Sequence, residues 1–468
     1  MTPQAPRARA VFGLELMRHD PAWGFRAALE RYYALHPELG EVRSRARGCW
    51  TLRLPAPETP NLEDFRLAYY ECGAASEQEV QFCREHGIEM YRYSEPWGLR
   101  QYFPGISRRE DLPAYQERGD QLRAWAADVQ SDRKWLGLPR ARVAQAVLNS
   151  LMPGPDGVAV YLDDYYDSWA TWWQLNSDPD LPAPNRATIA YESEITQALA
   201  WADGIYLDSV SLYLFMHEDH DPVHIAAADR PLAFSTRSGQ PVVLAALAHY
   251  EFIERLQAEL RAQGKLLMMN IFPPATRVYG HMADVAGSET VGPQQDEEAM
   301  QLRVAAWRRP VSNLLQWQSA VLKRVPAWTP EQAREYFDNQ LLYGFWPGIS
   351  TGGGGSQPGY AGMNRYFRDP ELLERDRPLW QEYMPVFDAL NAAGWEPVPH
   401  VRCDPPTLRV ERFGTAGTVY LTVHNPAQEP VVGTLSLERA WWTATLGTGG
   451  KAALMLPAGG CELVDAGD

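Results

Sequence analysis

The run Asp203-Gly204-Ile205-Tyr206-Leu207-Asp208-Ser209-Val210 leads an apolar stretch directly into a carboxylate. A buried parallel strand ends this way when its last residue faces a ligand. A buried carboxylate is costly unless it is partnered or put to use. Further on, Met282-Ala283-Asp284-Val285-Ala286-Gly287-Ser288-Glu289 reads as a second strand end with a second carboxylate. Two carboxylates on separate strand ends are the minimal apparatus for breaking a glycosidic bond. Asp208 then suits a nucleophile or an oxocarbenium-stabilising base, and a partly buried Glu289 suits the general acid. Taken alone, Asp208 reads equally well as a turn cap, and Glu289 as the exposed start of a helix.

Other polar residues fall at strand ends or beside aromatics. Glu95-Pro96-Trp97 sets a carboxylate next to a stacking platform. Asp163 and Asp164 open a stretch that continues through Trp169 to Trp173, a composition that suits gripping sugar hydroxyls and stacking on pyranose rings. Asn270 and Gln316 also end apolar runs. His217-Glu218-Asp219-His220-Asp221 lacks the HExxH spacing and a converging ligand set, so His217 is assigned to substrate hydroxyls and no metal is expected. No Gly-x-Ser-x-Gly elbow supports a serine nucleophile, and no cofactor motif is present.

Positioning these residues requires a repeated strand–helix unit. Eight strand candidates alternate with helical patterns: Phe65–Tyr70, Ile88–Tyr93, Gly157–Leu162, Ile205–Asp208, Leu266–Asn270, Val278–Glu289, Val311–Trp317 and Leu341–Ile349. This is the signature of an α/β fold of the (β/α)₈ TIM-barrel class, whose active face lies at the C-terminal ends of the strands. A doubly wound sheet would carry a glycine-rich turn after its first strand, where Glu71-Cys72-Gly73-Ala74 is a poor match. After Trp395 the pattern becomes period two, through Leu408–Phe413, Thr418–His424, Val431–Leu437, Trp441–Leu446 and Leu454–Leu456. That predicts a small C-terminal antiparallel β-sandwich. Gly352–Gly355 reads as a loop after the last barrel strand. The division is 1–60 for an N-terminal helix and entry segment, 61–398 for the barrel and 399–468 for the sandwich.

With 468 residues, the chain has room for a barrel plus a smaller domain. Its net charge of −16 disfavours nucleic acid and anionic membranes and suits a neutral carbohydrate substrate. The 17 Trp and 22 Tyr fit sugar stacking, though a large aromatic core accounts for most of them. Five cysteines without CxxC spacing argue against zinc and a disulfide framework. No run of about 20 apolar residues predicts a membrane span. With no apolar leader at Met1-Thr2-Pro3-Gln4, a cytoplasmic setting is expected.

On Asp203–Asp208 at a fourth strand and Gly287-Ser288-Glu289 near a sixth, the chain resembles (β/α)₈ glycoside hydrolases of the α-galactosidase-like superfamily and its endo-α-N-acetylgalactosaminidase-like neighbours. The entry Phe25-Arg26-Ala27-Ala28-Leu29-Glu30-Arg31-Tyr32-Tyr33 and the late Leu342-Tyr343-Gly344-Phe345-Trp346-Pro347 share in the likeness, which spans most of residues 20–395 and the trailing β domain. The resemblance implies a retaining α-glycosidase with Asp208 as nucleophile and Glu289 as acid/base. Many members use Asp as the acid/base, which leaves Asp284 as the fallback. Trp346 joins the substrate-binding set. A carbohydrate-binding barrel without activity is the alternative, and a metal-dependent hydrolase using His217 and His220 a more remote one.

Overall fold

The computed structural model describes residues 8–52, 54–55, 59–165, 168–210, 216–272, 274–289, 296–316, 329–350, 370–415, 418–427, 429–437, 451–456 and 460–465. Eight parallel strands form a closed barrel. They are β1 (Cys49–Thr51), β2 (Leu67–Cys72), β3 (Glu89–Ser94), β4 (Gly204–Val210), β5 (Leu266–Ile271), β6 (Val285–Ser288), β7 (Val311–Gln316) and β8 (Trp346–Ser350). The expected fold class is therefore present.

Seven of the eight expected barrel strands lie at or close to their predicted positions. The third does not. Tyr161–Tyr165 belongs to a three-stranded antiparallel sheet with Gly98–Tyr102 and Trp169–Gln174, outside the barrel. Its apolar run Gly157–Leu162 reads from sequence like a barrel strand, but it forms the edge of this sheet, with Leu162 exposed, and only its partners tell the two apart. The first barrel strand is instead Cys49–Thr51, inside the segment read as an entry. All three of its residues are buried, and three residues are too few to show a period. The two displacements cancel, so Asp208 still lies on the fourth strand and Glu289 still follows the sixth.

The chain divides into two compact units: Tyr91–Met282 with the segment up to Leu14, and Glu15–Met90 with Ala283–Asp468. In the first, β3, β4 and β5 pair in parallel. The long excursion between β3 and β4 carries the antiparallel sheet and the helices Tyr115–Ala127 and Arg140–Leu148. Its core is Leu99, Leu122, Val143, Val147, Trp173 and Leu175, all buried.

In the second unit, β6, β7, β8, β1 and β2 pair in sequence. Helix Glu77–His86 starts on a Ser76/Glu79 capping box and ends on Gly87 in the left-handed region at φ 67°. The predicted sandwich is present: a four-stranded sheet (395–396, 409–413, 420–424, 461–465) and a three-stranded one (401–404, 431–437, 451–456). They enclose Val401, Leu421, Val423, Leu435 and Leu456. The expected strand Trp441–Leu446 and the run Gly352–Gly355 lie outside the described residues. Among the described residues no helix is long and apolar enough to cross a membrane. All five cysteines are free thiols.

Candidate active site

Strands β3 and β4 carry the same short pattern, Tyr-x-carboxylate: Tyr93-Ser94-Glu95 and Tyr206-Leu207-Asp208. Residues two apart on a strand share a face. The strands run parallel with Tyr93 opposite Tyr206 and Ser94 opposite Leu207. Continuing that register brings Glu95 opposite Asp208 at the C-terminal ends, where neighbouring strands lie about 4.8 Å apart. Tyr93 ties the two together. Its hydroxyl is 2.7 Å from Asp208 Oδ2 and 3.4 Å from Glu95 Oε2, so those oxygens lie no more than the sum of the two, 6.1 Å, apart.

A bulge aims Asp208. Leu207 is opposite Met269 and Val210 opposite Ile271, so Asp208 and Ser209 together face the single Asn270 of β5. Ser209 takes up the extra length with φ 52°, a left-handed conformation that costs a non-glycine residue energy and recurs at functional sites. Asn270 Nδ2 then donates to Asp208 Oδ1 at 2.9 Å, and the Tyr206 hydroxyl donates to the same oxygen at 3.0 Å. Ser209 Oγ donates to Oδ2 at 3.2 Å. From behind, Trp97 Nε1 donates to the Asp208 main-chain carbonyl at 2.7 Å. All of these donors are neutral, and among the described residues no cation pairs with the carboxylate. Such donors fix its direction without cancelling its charge.

Glu95 sits in a different environment. Its side chain is 12% exposed and 3.4 Å from Arg100 Nη1. Burial, then the negative charge of Asp208, push its carboxyl up to about 7. Arg100 and a hydrogen bond to Ser209 pull the other way and only partly offset this. The site thus holds one carboxylate oriented by neutral donors beside a carboxyl that keeps its proton near neutrality. A carboxyl held protonated beside a second, firmly oriented carboxyl is the arrangement of acid/base pairs.

Several expected site residues are placed elsewhere. Trp97 is buried, its ring 4.5 Å from His249 and 6.0 Å from Phe252, so it offers no face to a substrate and acts by holding the Asp208 backbone. Trp173 is core in the antiparallel sheet, with Nε1 bonded to Gln101 Oε1 at 2.8 Å. Asp163 lies mid-strand opposite Thr171 and is paired with Arg118 and Arg109, a structural ion cluster rather than a barrel strand end. Asp164 pairs through its backbone with Ala170, and Trp169 with Tyr165 at the same hairpin. The side chain of Asp164 lies outside the described residues.

Asp284 precedes β6 and so stands at the strand's N-terminal end, where it is 1% exposed and bonded to Arg43 Nη1 at 2.7 Å. That position rules it out as the fallback acid. Trp346 begins β8, also at the N-terminal end, fully buried with Phe387 beside it. His217 is half-buried, and burial lowers its pKa. Its neighbours are internally satisfied: Asp219 accepts from Asn176 and pairs with His224, and His220 pairs with Glu218. Among the described residues no cluster of His, Cys, Asp and Glu has the geometry of a metal site. Glu289 follows β6 directly and is half-buried, in the second unit.

No known family model matches the sequence, and no curated protein is similar to it. Solved structures resemble it in outline. An α-amylase from H. orenii is 12% identical over 83% of this chain and 82% of its own, with a TM-score of 0.43. A debranching enzyme from Nostoc punctiforme is 11% identical over 91% and 98%, with a TM-score of 0.45. An isomaltulose synthase from Klebsiella is 10% identical over 94% of both chains, with a TM-score of 0.40. None of the three is an α-galactosidase or acetylgalactosaminidase by name. Likeness at this level decides neither family nor activity, and the functional reading rests on the site itself.

Proposed function

We propose that this chain is a retaining glycosidase in which Asp208 is the nucleophile and Glu95 the general acid/base. The observation that carries the reading is the pairing of the two carboxyl groups through Tyr93, within 6.1 Å, with Glu95 held up near 7. Retaining enzymes separate their carboxyls by about 5–5.5 Å, whereas inverting ones leave about 6.5–9.5 Å for a water. Asp208 Oδ attacks the anomeric carbon while the Glu95 proton passes to the glycosidic oxygen, and the C–O bond to the leaving sugar breaks. Glu95, now ionised, takes a proton from water. The resulting hydroxide displaces Asp208, and both groups return to their starting states.

Glu289, the acid/base implied by the sequence resemblance, is the second candidate for that role. The α anomer and an oligosaccharide substrate come from the same resemblance. Free thiols fit a reducing, cytoplasmic setting.

A panel of nitrophenyl α- and β-glycosides, followed by NMR of the first-formed anomer, tests the proposal. Wild type should release nitrophenol with retention on one member. Asp208→Asn should lose about 10⁴-fold or more in kcat with its circular dichroism unchanged. Binding of sugars without turnover across the panel, or full activity in Asp208→Asn, would favour the non-catalytic alternative.

A further inference from the structure

A cavity of about 610 Å³ opens at the N-terminal ends of β1, β2 and β3. Arg45 and Arg47 precede β1, Arg66 precedes β2, and Gly87 and Ile88 precede β3. In a barrel the chemistry belongs to the C-terminal ends of the strands, so a ligand held here is not the reacting substrate. The wall carries three guanidinium groups, Arg45, Arg47 and Arg66, against the carboxylates of Glu63 and Asp388. Arg66 lies 3.3 Å from Asp388. Among the described residues neither Arg45 nor Arg47 pairs with a carboxylate. Two uncommitted guanidinium groups then face one carboxylate, a local excess of positive charge on a chain whose net charge is −16.

The backbone that presents these groups is fixed. Glu89 Oε1 accepts from the Arg45 and Ala46 amides at 2.8 and 3.2 Å, and the Ala46 carbonyl accepts from the Tyr69 hydroxyl at 2.9 Å. Exposure alternates along Ser44-Arg45-Ala46-Arg47, with Ser44 and Ala46 buried, so the two arginines face the same way. Arg66 is drawn against this segment. Its carbonyl accepts from the Cys49 amide at 2.7 Å, and a Cβ at position 48 would lie 1.8 Å from that oxygen. Only glycine leaves room for the approach. Arg66 itself has φ 46°, a left-handed conformation that strains a non-glycine residue and recurs at ligand sites. Its pair with Asp388 is partly exposed and returns little against that strain.

Several guanidinium groups around one opening suit a phosphoryl group better than a carboxylate. One guanidinium fork occupies both oxygens of a carboxylate, whereas a phosphate has three oxygens to share among several donors. The volume is in the range of small-ligand sites and leaves room for more than a bare phosphate. We propose that this cavity binds a phosphoryl group, free or carried on a small ester, through Arg45 and Arg47 with Arg66 beside them. The inference does not depend on Asp208 and Glu95 being the reacting pair.

Calorimetric titration of the full chain in phosphate-free buffer with inorganic phosphate, D-glucose 6-phosphate, acetate and D-glucose tests it without requiring turnover. At least one of the two phosphates should bind about tenfold more tightly than acetate, and the tighter of them tells free anion from ester. Glucose should not compete. Arg45→Gln/Arg47→Gln should weaken the phosphate by about tenfold or more with unchanged circular dichroism, because both side chains are exposed. Arg45→Lys/Arg47→Lys keeps the charge and loses the forks, so it should weaken binding by about threefold. Asp208→Asn should bind as wild type does. No binding of either phosphate, acetate binding as tightly, or undiminished binding in the Gln pair would overturn the proposal. So would loss of phosphate binding in Asp208→Asn, which would put the ligand at the active face. If the Gln pair does not fold, undiminished binding in the Lys pair overturns it instead. Phosphate binding in a chain that hydrolyses no glycoside would sink the glycosidase reading and leave this inference standing.

Discussion

Glu95 shows how burial sets chemistry that residue type leaves open. Its folded carboxyl keeps its proton up to about 7, whereas the ordinary value is 4.5. The folded chain therefore binds a proton that the unfolded chain has released, and the associated stability is lost as pH rises from about 4.5 to about 7. Glu95→Gln removes the cost of the buried charge. It should gain up to about 3 kcal/mol at pH 8 and little at pH 4, as read by urea titration at the two values. The same substitution should cut kcat/KM on poor leaving groups by about 10²–10⁴-fold and spare kcat/KM on activated aryl leaving groups, while kcat falls on both because the glycosyl-enzyme loses its base for water. In wild type, kcat/KM should fall as pH rises through about 7, where the acid loses its proton. If Glu289→Gln instead carries that loss and shifts that limb, Glu289 is the acid. Asp208 was legible as a strand-end carboxylate, and Asn270 as a polar strand end. Glu95 read as a sugar ligand because nothing in the residue string reports its desolvation. Tyr93 and Tyr206 were absorbed into the aromatic count, although the repeated Tyr-x-carboxylate spacing was available as a signal.

At the scale of elements, the barrel was legible wherever a strand was long enough to show its pattern, and the excursion after β3 was not. An edge strand paired antiparallel can show the same apolar run as a parallel one, and only its partners distinguish the two. Arg118, on the helix Tyr115–Ala127, is the residue that fastens this excursion. It pairs with Asp163 and donates to Thr171 Oγ1 at 2.8 Å, with its guanidinium 5.3 Å from the Tyr161 ring. Both charged side chains are largely buried, at 7% and 10% exposure. Removing Arg118 leaves the largely buried Asp163 with only the exposed Arg109, 3.4 Å away, to compensate it. Arg118→Met should therefore destabilise the protein by about 3 kcal/mol in urea titration, and Arg118→Met/Asp163→Leu together should recover much of the loss. If the single variant is as stable as wild type, the pair does not hold the helix to the sheet.

For the whole molecule, the sequence suggests an entry helix, a barrel and an appended sandwich in separate stretches, but the second unit runs through all three. Arg26, on the helix Phe25–Leu35, binds the Glu411 carboxylate and the Pro397 carbonyl. Glu411, 4% exposed, also accepts from Trp395 Nε1 at 2.8 Å. Thr422 donates to the Leu342 carbonyl at 2.7 Å, at the end of the helix that precedes β8. Gly344, at φ 61°, has the Phe413 ring so close that a Cβ there would lie 2.6 Å from it. A sheet whose buried ion pair and aromatic contacts close over the barrel's own helices is part of their core, not a tethered module. A chain ending at Val398 would lose Glu411, Phe413 and Thr422 together. Arg26 would be left without its carboxylate, and the part of the helix Pro330–Tyr343 that contacts the sheet, with the Leu342 carbonyl that Thr422 satisfies, would be left facing water. That chain should be insoluble or elute as aggregate on size exclusion, where the full chain elutes as a discrete species. Arg26→Met in the full chain should show the graded version, a loss of about 2–3 kcal/mol in urea titration. A soluble 1–398 fragment with the full chain's circular dichroism per residue in the helical region would show instead that the barrel is complete without the sheet.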